Sequence, residues 1–572
     1  MPVAELTILL PCHSFEDFPL YHQGAEAEAL LAAWTALWHP TLLAGVNKVP
    51  GWARCDDPPE DFAERLMVFP QTSGGELPSG YAKRVKEGGG TLLRKIGTRD
   101  ELARAALAAF AAMSQPVIAQ TATEGENSPE TAAAEPTPID AAPPAEPVLI
   151  DEFYALGSAY LWTELLTRRM RYMTLLDEVA FQTAVLDAAR ASVAGDVDAT
   201  RTALNGALDQ LLQSRNHFYP VDCYLLDVTL VAPSTIGQSL RDELAKEFPT
   251  TLLLDGETLA AMAANEPATL ALIRARLDAG TLSVLGGDAR EGQLPLDDVE
   301  TILAGLKEGA ALFEKHLGRK PQFYGRRRAG LSPILPNLLT GLGYRAAFHV
   351  TLDEGRFPTG TCAKISWQGF GAHAIEAVPR VPLDAGEHGP LLNLPEKLGE
   401  TMDYDHVATL VFAHWPGRTS PYFDDLRRFS SAIQVLGRFV TFQQFMDETS
   451  GSGEVGEFKL DHYRPPYLLQ DVIRKRENPL TAHVGEFLHS TIQRGGDAQI
   501  ALAEMLGRTP KQDEGAIDPL AAALGMRLML EDNAQRPASC CSIRTAPPYV
   551  PASAARPAKS AARSSPRTIV FR

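Results

Sequence analysis

Short apolar runs alternate with amphipathic stretches over residues 225–442, and this alternation constrains the fold more than any other feature of the chain. Each run is short enough for a buried strand, and the stretches between them have the apolar spacing of helices. Parallel strands need such crossover connections, so the pattern predicts an α/β fold built on a parallel sheet or barrel. The predicted strands are LLDVTLVAP (225–233), TLLL (251–254), LSVLGG (282–287), QFYG (322–325), YRAAFHV (344–350), HVATLVFAH (406–414) and RFVTF (438–442).

The remaining regions differ in composition from this alternating segment. Residues 115–148 are rich in Ala, Pro, Thr and Glu and cannot bury enough apolar surface to order themselves, so they predict a disordered linker. The predicted divisions are a first strand at TILLP (7–11) with helices over 1–114, the linker, the main βα region over 149–460 with a helical insertion at 151–215, and a small helical bundle over 461–532.

The last forty residues, 533–572, break with the rest of the chain. They contain no acidic residue but seven Lys or Arg, a Cys-Cys pair and many Ala, Ser and Pro. We interpret them as the product of a reading-frame shift near residue 536. The alternative is a basic tail that contacts nucleic acid or membrane. Either interpretation predicts a disordered segment.

Composition limits the class of protein. A net charge of −18 argues against a general binder of nucleic acid or anionic membranes. We find no apolar run of transmembrane length and no signal peptide, and the six cysteines show neither CxxC nor regular spacing. These features predict a reduced, cytoplasmic protein. Nothing in the sequence indicates an oligomeric state.

Candidate functional residues follow three predicted strands, because α/β folds place their chemistry at strand carboxyl ends. PCHSFEDFP (11–19) offers His13, Glu16 and Asp17, YGRRRAG (324–330) offers three arginines, and FAHWPGRTSPYFDDLRR (412–428) offers His414. In a closed barrel Asp17 and His414 would be adjacent, which is half of a divalent-metal site. Taken alone, each histidine is also consistent with a simple hydrogen-bonding role, and Asp17 with a helix N-cap.

Taken together and in this order, these stretches resemble glycoside hydrolase family 38, the α-mannosidases. HSFEDF (13–18) lies over the family's His-Ser-His-Asn-Asp-Pro, which places Asp17 at a zinc-binding aspartate and Phe15 at a zinc-binding histidine. RRRAGLSPILP (326–336) lies over the nucleophile segment, with Arg327 at the position of the aspartate. His414 takes the last metal-ligand position.

The resemblance covers roughly residues 5–35 and 224–430, and it extends to KISWQGFGAHAIEAVP (364–379), which is similar to a Trp-x-Gly-x-Asp-Gly segment. It also places Glu291 at an acidic position that follows Gly286-Gly287. It implies a distorted (β/α)7-type barrel with a helical insertion, followed by a small helical bundle. The family's large C-terminal β-domains have no counterpart here.

The departures from the family bear on the mechanism. Arginine stays protonated, so Arg327 can neither attack the anomeric carbon nor bind zinc, and with Phe15 at a second ligand position at most a partial zinc site is expected. We expect an Arg327–Asp17 ion pair to occupy the place of the metal. The general acid cannot be assigned by motif. The candidates, all from loops, are Asp384, Glu387 and Asp353.

Three functions remain open. The first is a carbohydrate-acting relative of the α-mannosidases that hydrolyses, if at all, through relocated carboxylates: Asp17, Glu16 or Glu291. The second is a non-catalytic protein whose Arg326, Arg327 and Arg328 bind a carbohydrate or an anionic small molecule, with Trp415 as a further candidate for substrate binding. A solvated basic turn is the plainer interpretation of the arginines.

The third function is a polysaccharide deacetylase-like hydrolase. The segment KPQFYGRRRAGLSPILPNLLTGLGY (320–344) has the rhythm of that group's Phe-Arg-x-Pro-x-Gly segment, but the chain lacks the group's Thr-Phe-Asp-Asp-Gly metal motif. A glycosidase should bring two carboxylates within about 5–10 Å of each other. A binder should instead have an arginine-lined pocket without such a pair.

Overall fold

The computed structural model describes residues 3–114, 147–170, 173, 175–371, 373–451, 453–464 and 467–507. Almost all of the predicted linker (115–148), the end of the predicted bundle and the tail (533–572) lie outside these described residues. Within the described ranges, no single helix has the length and apolar composition to cross a membrane. One bent pair of helical segments, Gly24–Trp38 and Pro40–Val46, has that length and composition only when the two are counted together.

The N-terminal part forms a parallel four-stranded sheet of its own, with strand order β2-β1-β3-β4. TILLP was expected to begin the barrel, and that placement is wrong because its strand, β1, pairs with β2 and β3. The elements are β1 (Glu5–Leu10), α1 (Gly24–Thr35), α2 (Pro40–Val46), β2 (Gly51–Arg54), β3 (Arg65–Phe69), α3 (Tyr81–Glu87), β4 (Thr91–Arg94) and α4 (Arg99–Ser114).

Three long helices follow: α5 (Ile150–Arg169), α6 (Glu178–Val193) and α7 (Val197–Phe218). They occupy the stretch over which a helical insertion is expected (151–215), and its standing as an insertion stays a prediction. Asp177 and Asp196 cap α6 and α7 through their side chains, each accepting a backbone N–H of the first turn. One face of α5 packs on the helix Pro421–Ala432, which accompanies the second sheet, and on α1, which accompanies the first, so α5 lies in the core that both sheets share.

Within the described residues the second sheet has eleven strands. Nine of them run parallel, eight in the order β12-β13-β5-β6-β7-β8-β9-β11, with β14 pairing beside β5. The elements are β5 (Tyr224–Leu230), α8 (Gln238–Ala245), β6 (Thr250–Leu253), α9 (Gly256–Asn265), α10 (Pro267–Asp278), β7 (Leu282–Gly286), α11 (Val299–Leu317), β8 (Phe323–Tyr324), α12 (Leu335–Leu342), β9 (Ala346–Phe348), β10 (Ile365–Gln368), β11 (Ala374–Val378), β12 (Leu383–Asp384), α13 (His388–Leu392), α14 (Leu394–Tyr404), β13 (Thr409–His414), α15 (Pro421–Ala432), β14 (Arg438–Val440), α16 (Phe442–Glu448), β15 (Val455–Glu457), α17 (Tyr467–Ile473) and α18 (Thr481–Met505).

The second sheet curls around one apolar interior but does not close. Side chains from eight of these parallel strands, among them Val228, Leu285 and Val411, form one buried cluster with Phe442 and Phe445 of α16. In the described part of the chain its edges, β12 and β15, do not pair with each other. The segment that joins β11 to β12 contains Pro379 and Pro382. Because proline has no backbone N–H, neither residue can donate a hydrogen bond to a neighbouring strand. The expected closed barrel is therefore an open, curved sheet.

Alternation along β5 and β13 decides which side chains face this interior. Leu226 and Val228 point inward, whereas Leu225 belongs to the core beneath the helices, so Asp227 between the two inward residues faces the helices as well. On β13, Ala413 points inward and His414 takes the outer face.

Candidate functional site

The three arginines form a rigid turn, which we call the arginine turn (326–330), directly after β8. Ala329 and Gly330 both have positive φ, at 67° and 75°. The loop after β9 pairs with this turn through backbone hydrogen bonds, from Leu352 N to Arg327 O at 2.8 Å and from Ala329 N to Asp353 O at 3.0 Å. A Cβ on Gly355 would lie 2.1 Å from the nitrogen of Gly330, so only glycine permits this approach.

Arg326 holds the turn from inside. Its side chain is fully buried and donates to the carbonyl oxygens of Gly330 at 3.1 Å and Gly292 at 2.6 Å. Its Nε lies 3.4 Å from Asp288 Oδ2, and that carboxylate also accepts from the Tyr324 hydroxyl at 3.1 Å. With no exposed surface and all these contacts inside the protein, Arg326 supports the turn instead of presenting a charge to a ligand.

Arg327 lies between two carboxylates. Its Nη1 is 2.7 Å from Asp353 Oδ2 and its Nη2 is 3.9 Å from Glu291 Oε2. The guanidinium carbon lies 5.6 Å from the centre of the Trp415 ring, within cation–π range. The expected ion pair between Arg327 and Asp17 is wrong, because Asp353 and Glu291 are its partners.

Glu291 is a buried carboxyl group beside two guanidinium groups. It accepts the backbone N–H of Arg327 at 2.5 Å, and Arg328 Nε lies 3.5 Å from its Oε2. Burial raises the pKa of Glu291 to about 7, against the opposing effect of Arg327 and Arg326. Because one guanidinium contacts both Glu291 and Asp353, the two carboxylates are closer than the roughly 9.5 Å upper limit for an inverting glycosidase.

His414 is absent from this cluster and lies in a buried ionic network behind the sheet. Its Nε2 is 2.9 Å from Asp227 Oδ1, and Asp227 Oδ2 accepts from Arg427 at 2.6 Å. Glu243 of α8 also contacts Arg427, at 2.7 Å. Burial would raise the pKa of Asp227, but Arg427 and His414 outweigh it and hold that pKa well below its ordinary range. The sequence signal for this network is a lone aspartate in the apolar run LLDVTL (225–230), which strand periodicity alone does not identify as functional.

The predicted metal ligands do not converge. Asp17 belongs to the N-terminal part, where it accepts the backbone N–H groups of His13 and Ser14 at 2.9 and 2.7 Å. Phe15 is buried against Trp34 and Trp52. The expected adjacency of Asp17 and His414 is wrong, because β1 and β13 belong to different sheets. Nowhere in the described ranges do three or more His, Cys, Asp or Glu side chains come together as metal ligands could. These residues therefore do not fit the family's zinc site.

The other predicted acids make no hydrogen bond or ion pair with the arginine turn within the described residues. Asp384 pairs in register with Ala413, and its carboxylate accepts the backbone N–H of Gly386 at 2.9 Å. No hydrogen bond or ion pair within the described residues connects it to the turn. Glu387 precedes α13 without capping it through its side chain. Glu16 pairs instead with Arg168 of α5, at 3.1 Å.

Comparison with known proteins places this chain in no family. No protein-family model matches it, and no curated protein matches it in sequence. Among solved structures it is similar to a 4-α-glucanotransferase from Thermococcus litoralis (13% identity, TM-score 0.30, covering 50% of this chain and 46% of that one). It is also similar to an α-mannosidase from Enterococcus faecalis (12%, 0.32, 41% and 30%) and to a family 4 carbohydrate esterase from Streptomyces lividans (12%, 0.23, 39% and 91%).

The chain thus spans less than half the length of the first two of these proteins. At TM-scores this low, none of the three likenesses determines the fold or the function of this chain. The resemblance to the α-mannosidases stays a prediction.

Proposed function

We propose that this chain binds an acidic carbohydrate at the arginine turn and does not hydrolyse it. The observation that carries the proposal is the arrangement of Arg327, Arg328 and Trp415 at the carboxyl end of the curved sheet. Carboxylate groups on sugars are recognised best by guanidinium groups, which can donate two parallel hydrogen bonds.

Arg328 is the contact for the ligand's negative charge. Its side chain is 37% exposed, and its one ion-pair contact within the described residues uses Nε, on the side of Glu291. Within the described residues, neither terminal nitrogen makes a hydrogen bond or an ion pair. A ligand carboxylate can take both of them.

Trp415 supplies the apolar contact. Its ring is half-buried, packs against the apolar interior of the sheet and is approached by Arg327. Sugars present faces of C–H groups that stack on aromatic rings, and a ring fixed by packing binds them with little loss of conformational entropy.

Arg327 accounts for the absence of hydrolysis in this proposal. A glycosidase needs the anomeric carbon between its two carboxylates, and the Arg327 guanidinium takes that place between Glu291 and Asp353. Its ion pair also engages the one carboxylate, Asp353, that is exposed enough to act as a nucleophile or base.

One observation favours a second candidate function, hydrolysis with Glu291 as proton donor. A pKa of about 7 keeps much of this carboxyl group protonated near neutral pH, which is what a general acid requires, and Asp353 lies within the range of a partner carboxylate. In this case Arg327 would have to move when a substrate binds.

Calorimetric titration of the full chain with β-1,4-trimannuronate and with β-1,4-mannotriose tests the first proposal. The two sugars differ mainly in their carboxylates, so we expect the acidic one to bind at least tenfold more tightly. Trp415→Ala should weaken both. Equal affinities, or no saturable binding of either sugar, would overturn the proposal.

Product analysis by mass spectrometry separates the two candidates. After prolonged incubation of each trisaccharide with the wild type, we expect no shorter product. Turnover that disappears in Glu291→Gln would establish the second candidate, and turnover that persists in that variant would point to a contaminating enzyme.

A further inference from the structure

The N-terminal sheet has a crevice of the kind that binds ligands in open α/β proteins. Helix α1, which follows β1, packs on one face of this sheet with Ile8 and Leu10. Helix α3, which follows β3, packs on the other face with Leu9 and Met67. Connections that leave adjacent strands towards opposite faces open a gap outside their carboxyl ends, where ligands bind.

A cavity of about 510 Å³ opens at this edge, and we call it the edge cavity. Its walls are the first turns of α1, the loop after β3 and the loop after β4, with Glu26, Thr72, Ser73 and Lys95 among the polar side chains. Its volume falls in the range of small-molecule sites, about 300–1,000 Å³. None of its lining residues belongs to the arginine turn.

Two polar side chains of the edge cavity lack partners. Thr72 is 8% exposed, and its hydroxyl group makes no hydrogen bond within the described structure. A buried hydroxyl without a partner is destabilising, so it is a position where a ligand atom would be favourable. Lys95 is an exposed residue of the cavity wall and forms no ion pair with any described residue, so its ammonium group is available to an anionic ligand.

Glu26 supplies the opposite charge. Its Oε1 accepts the backbone N–H of Ser73 at 2.5 Å, and its Oε2 lies 3.0 Å from His22 Nδ1. The pKa of Glu26 is lowered most by hydrogen bonds from the Ser73 side chain and the Ser73 backbone, and further by His22. Glu26 therefore remains a carboxylate. Ionised carboxylates accept hydrogen bonds from sugar hydroxyl groups, so the cavity has an acceptor as well as a cation.

From this combination we infer that the edge cavity is a second binding site, for a phosphate monoester of a sugar or polyol. Lys95 and the Thr72 hydroxyl contact the phosphate, and Glu26 accepts from ligand hydroxyl groups. A bare phosphate would gain nothing from Glu26, and a neutral sugar would leave Lys95 without a partner. The inference does not depend on what the arginine turn binds.

Titration of the full chain with glucose 6-phosphate tests this site, with inorganic phosphate and glucose as separate probes. We expect saturable binding of the sugar phosphate, at least tenfold tighter than that of either probe. Lys95→Ala should weaken it at least tenfold and Thr72→Val several-fold. Lys86→Ala, which removes an exposed lysine of α3 that does not line the cavity, should leave the affinity unchanged.

The alternative outcomes are distinct. Absence of saturable binding, or equal affinity in wild type and Lys95→Ala, would overturn the inference. Binding that is lost in Arg328→Gln but not in Lys95→Ala would place the ligand at the arginine turn and would also overturn it. Inorganic phosphate binding as tightly as the sugar phosphate would show that Glu26 takes no part and would exclude the sugar phosphate class.

Discussion

Asp227 joins His414 of β13 and Arg427 of α15 in the buried layer behind the curved sheet. Removing it leaves the Arg427 guanidinium buried with one carboxylate fewer. We therefore expect Asp227→Ala to lower the free energy of unfolding by about 3–5 kcal/mol. Denaturant unfolding measures this. Asp187→Ala, which breaks an exposed pair with Arg190, is the control and should change stability by less than about 1 kcal/mol. Similar losses in both variants would contradict the buried network.

Glu291 makes stability depend on pH in a defined direction. Its folded-state pKa, about 7, is above the ordinary 4.5 of the unfolded chain, so between these values the folded state holds more protons. Stability therefore falls as pH rises from about 4.5 to 7, by roughly 3 kcal/mol at most from this group. We expect Glu291→Gln to remove that part of the decline, whereas Glu308→Gln on the exposed side of α11 should not. Parallel curves for wild type and Glu291→Gln would contradict the assignment.

The sequence predicted only part of the candidate site. The turn YGRRRAG could be located at a strand end, and Glu291 was named as a site residue. The partners of the arginines could not be derived, because Asp353 and Glu291 meet Arg327 only through loops whose paths depend on Gly355 and on a buried Arg326. The sequence placed His414 in the predicted metal site at the carboxyl ends of the strands, because its strand could be recognised. The face of the sheet on which its side chain lies could not be predicted.

At the scale of elements, α17 and α18 carry many exposed large apolar side chains. Those described on the two helices are Leu469, Val472, Ile473, Val484, Phe487, Leu502 and Met505, and Leu480 and Leu506 flank α18. The chain continues with the apolar stretch IDPLAAALGMRLML (517–530), which lies outside the described residues. The bundle expected over 461–532 includes it. An apolar face of this size is rarely left in water, so we predict that removing residues 508–532 makes the chain bind hydrophobic dye and self-associate.

Two truncations test that prediction. A chain that ends at residue 532 should bind no more of a hydrophobic fluorescent dye than the full chain and should have the same oligomeric state. A chain that ends at 507 should bind several-fold more dye and self-associate, which light scattering would detect. The prediction fails if the two truncated chains behave alike.

The strands themselves were predicted unevenly. The strands at LLDVTLVAP, TLLL, LSVLGG, QFYG and HVATLVFAH are all present in the second sheet, because buried parallel strands are apolar throughout and easy to recognise. β2, β3 and β4 were not predicted, since they are four or five residues long and lie at or near the edges of a small sheet. Without them, TILLP had no local partners and was assigned to the wrong sheet.

At the scale of the whole molecule, one apolar core joins both sheets through α5. Gly157 of α5 packs against the Trp38 ring, and a Cβ at this position would lie 2.6 Å from it. We expect Gly157→Ala to lower the free energy of unfolding by about 1–3 kcal/mol, because the rings around it are fully buried. Gly206→Ala on α7 meets nothing closer than 4.0 Å and should instead stabilise by about 0.5–1 kcal/mol. Thermal unfolding of both variants checks the contrast, and a stabilising Gly157→Ala would contradict the packing described.

The central claim is that the arginine turn binds an anionic sugar through Arg328. The most direct test is the calorimetric affinity for β-1,4-trimannuronate of Arg328→Gln, with Arg319→Gln as the control for loss of one exposed arginine at the far end of α11. We expect Arg328→Gln to bind roughly tenfold to a hundredfold more weakly, the worth of about 1.4–2.7 kcal/mol, and Arg319→Gln to bind like wild type. Unchanged affinity in Arg328→Gln, or an equal loss in both variants, would contradict the claim.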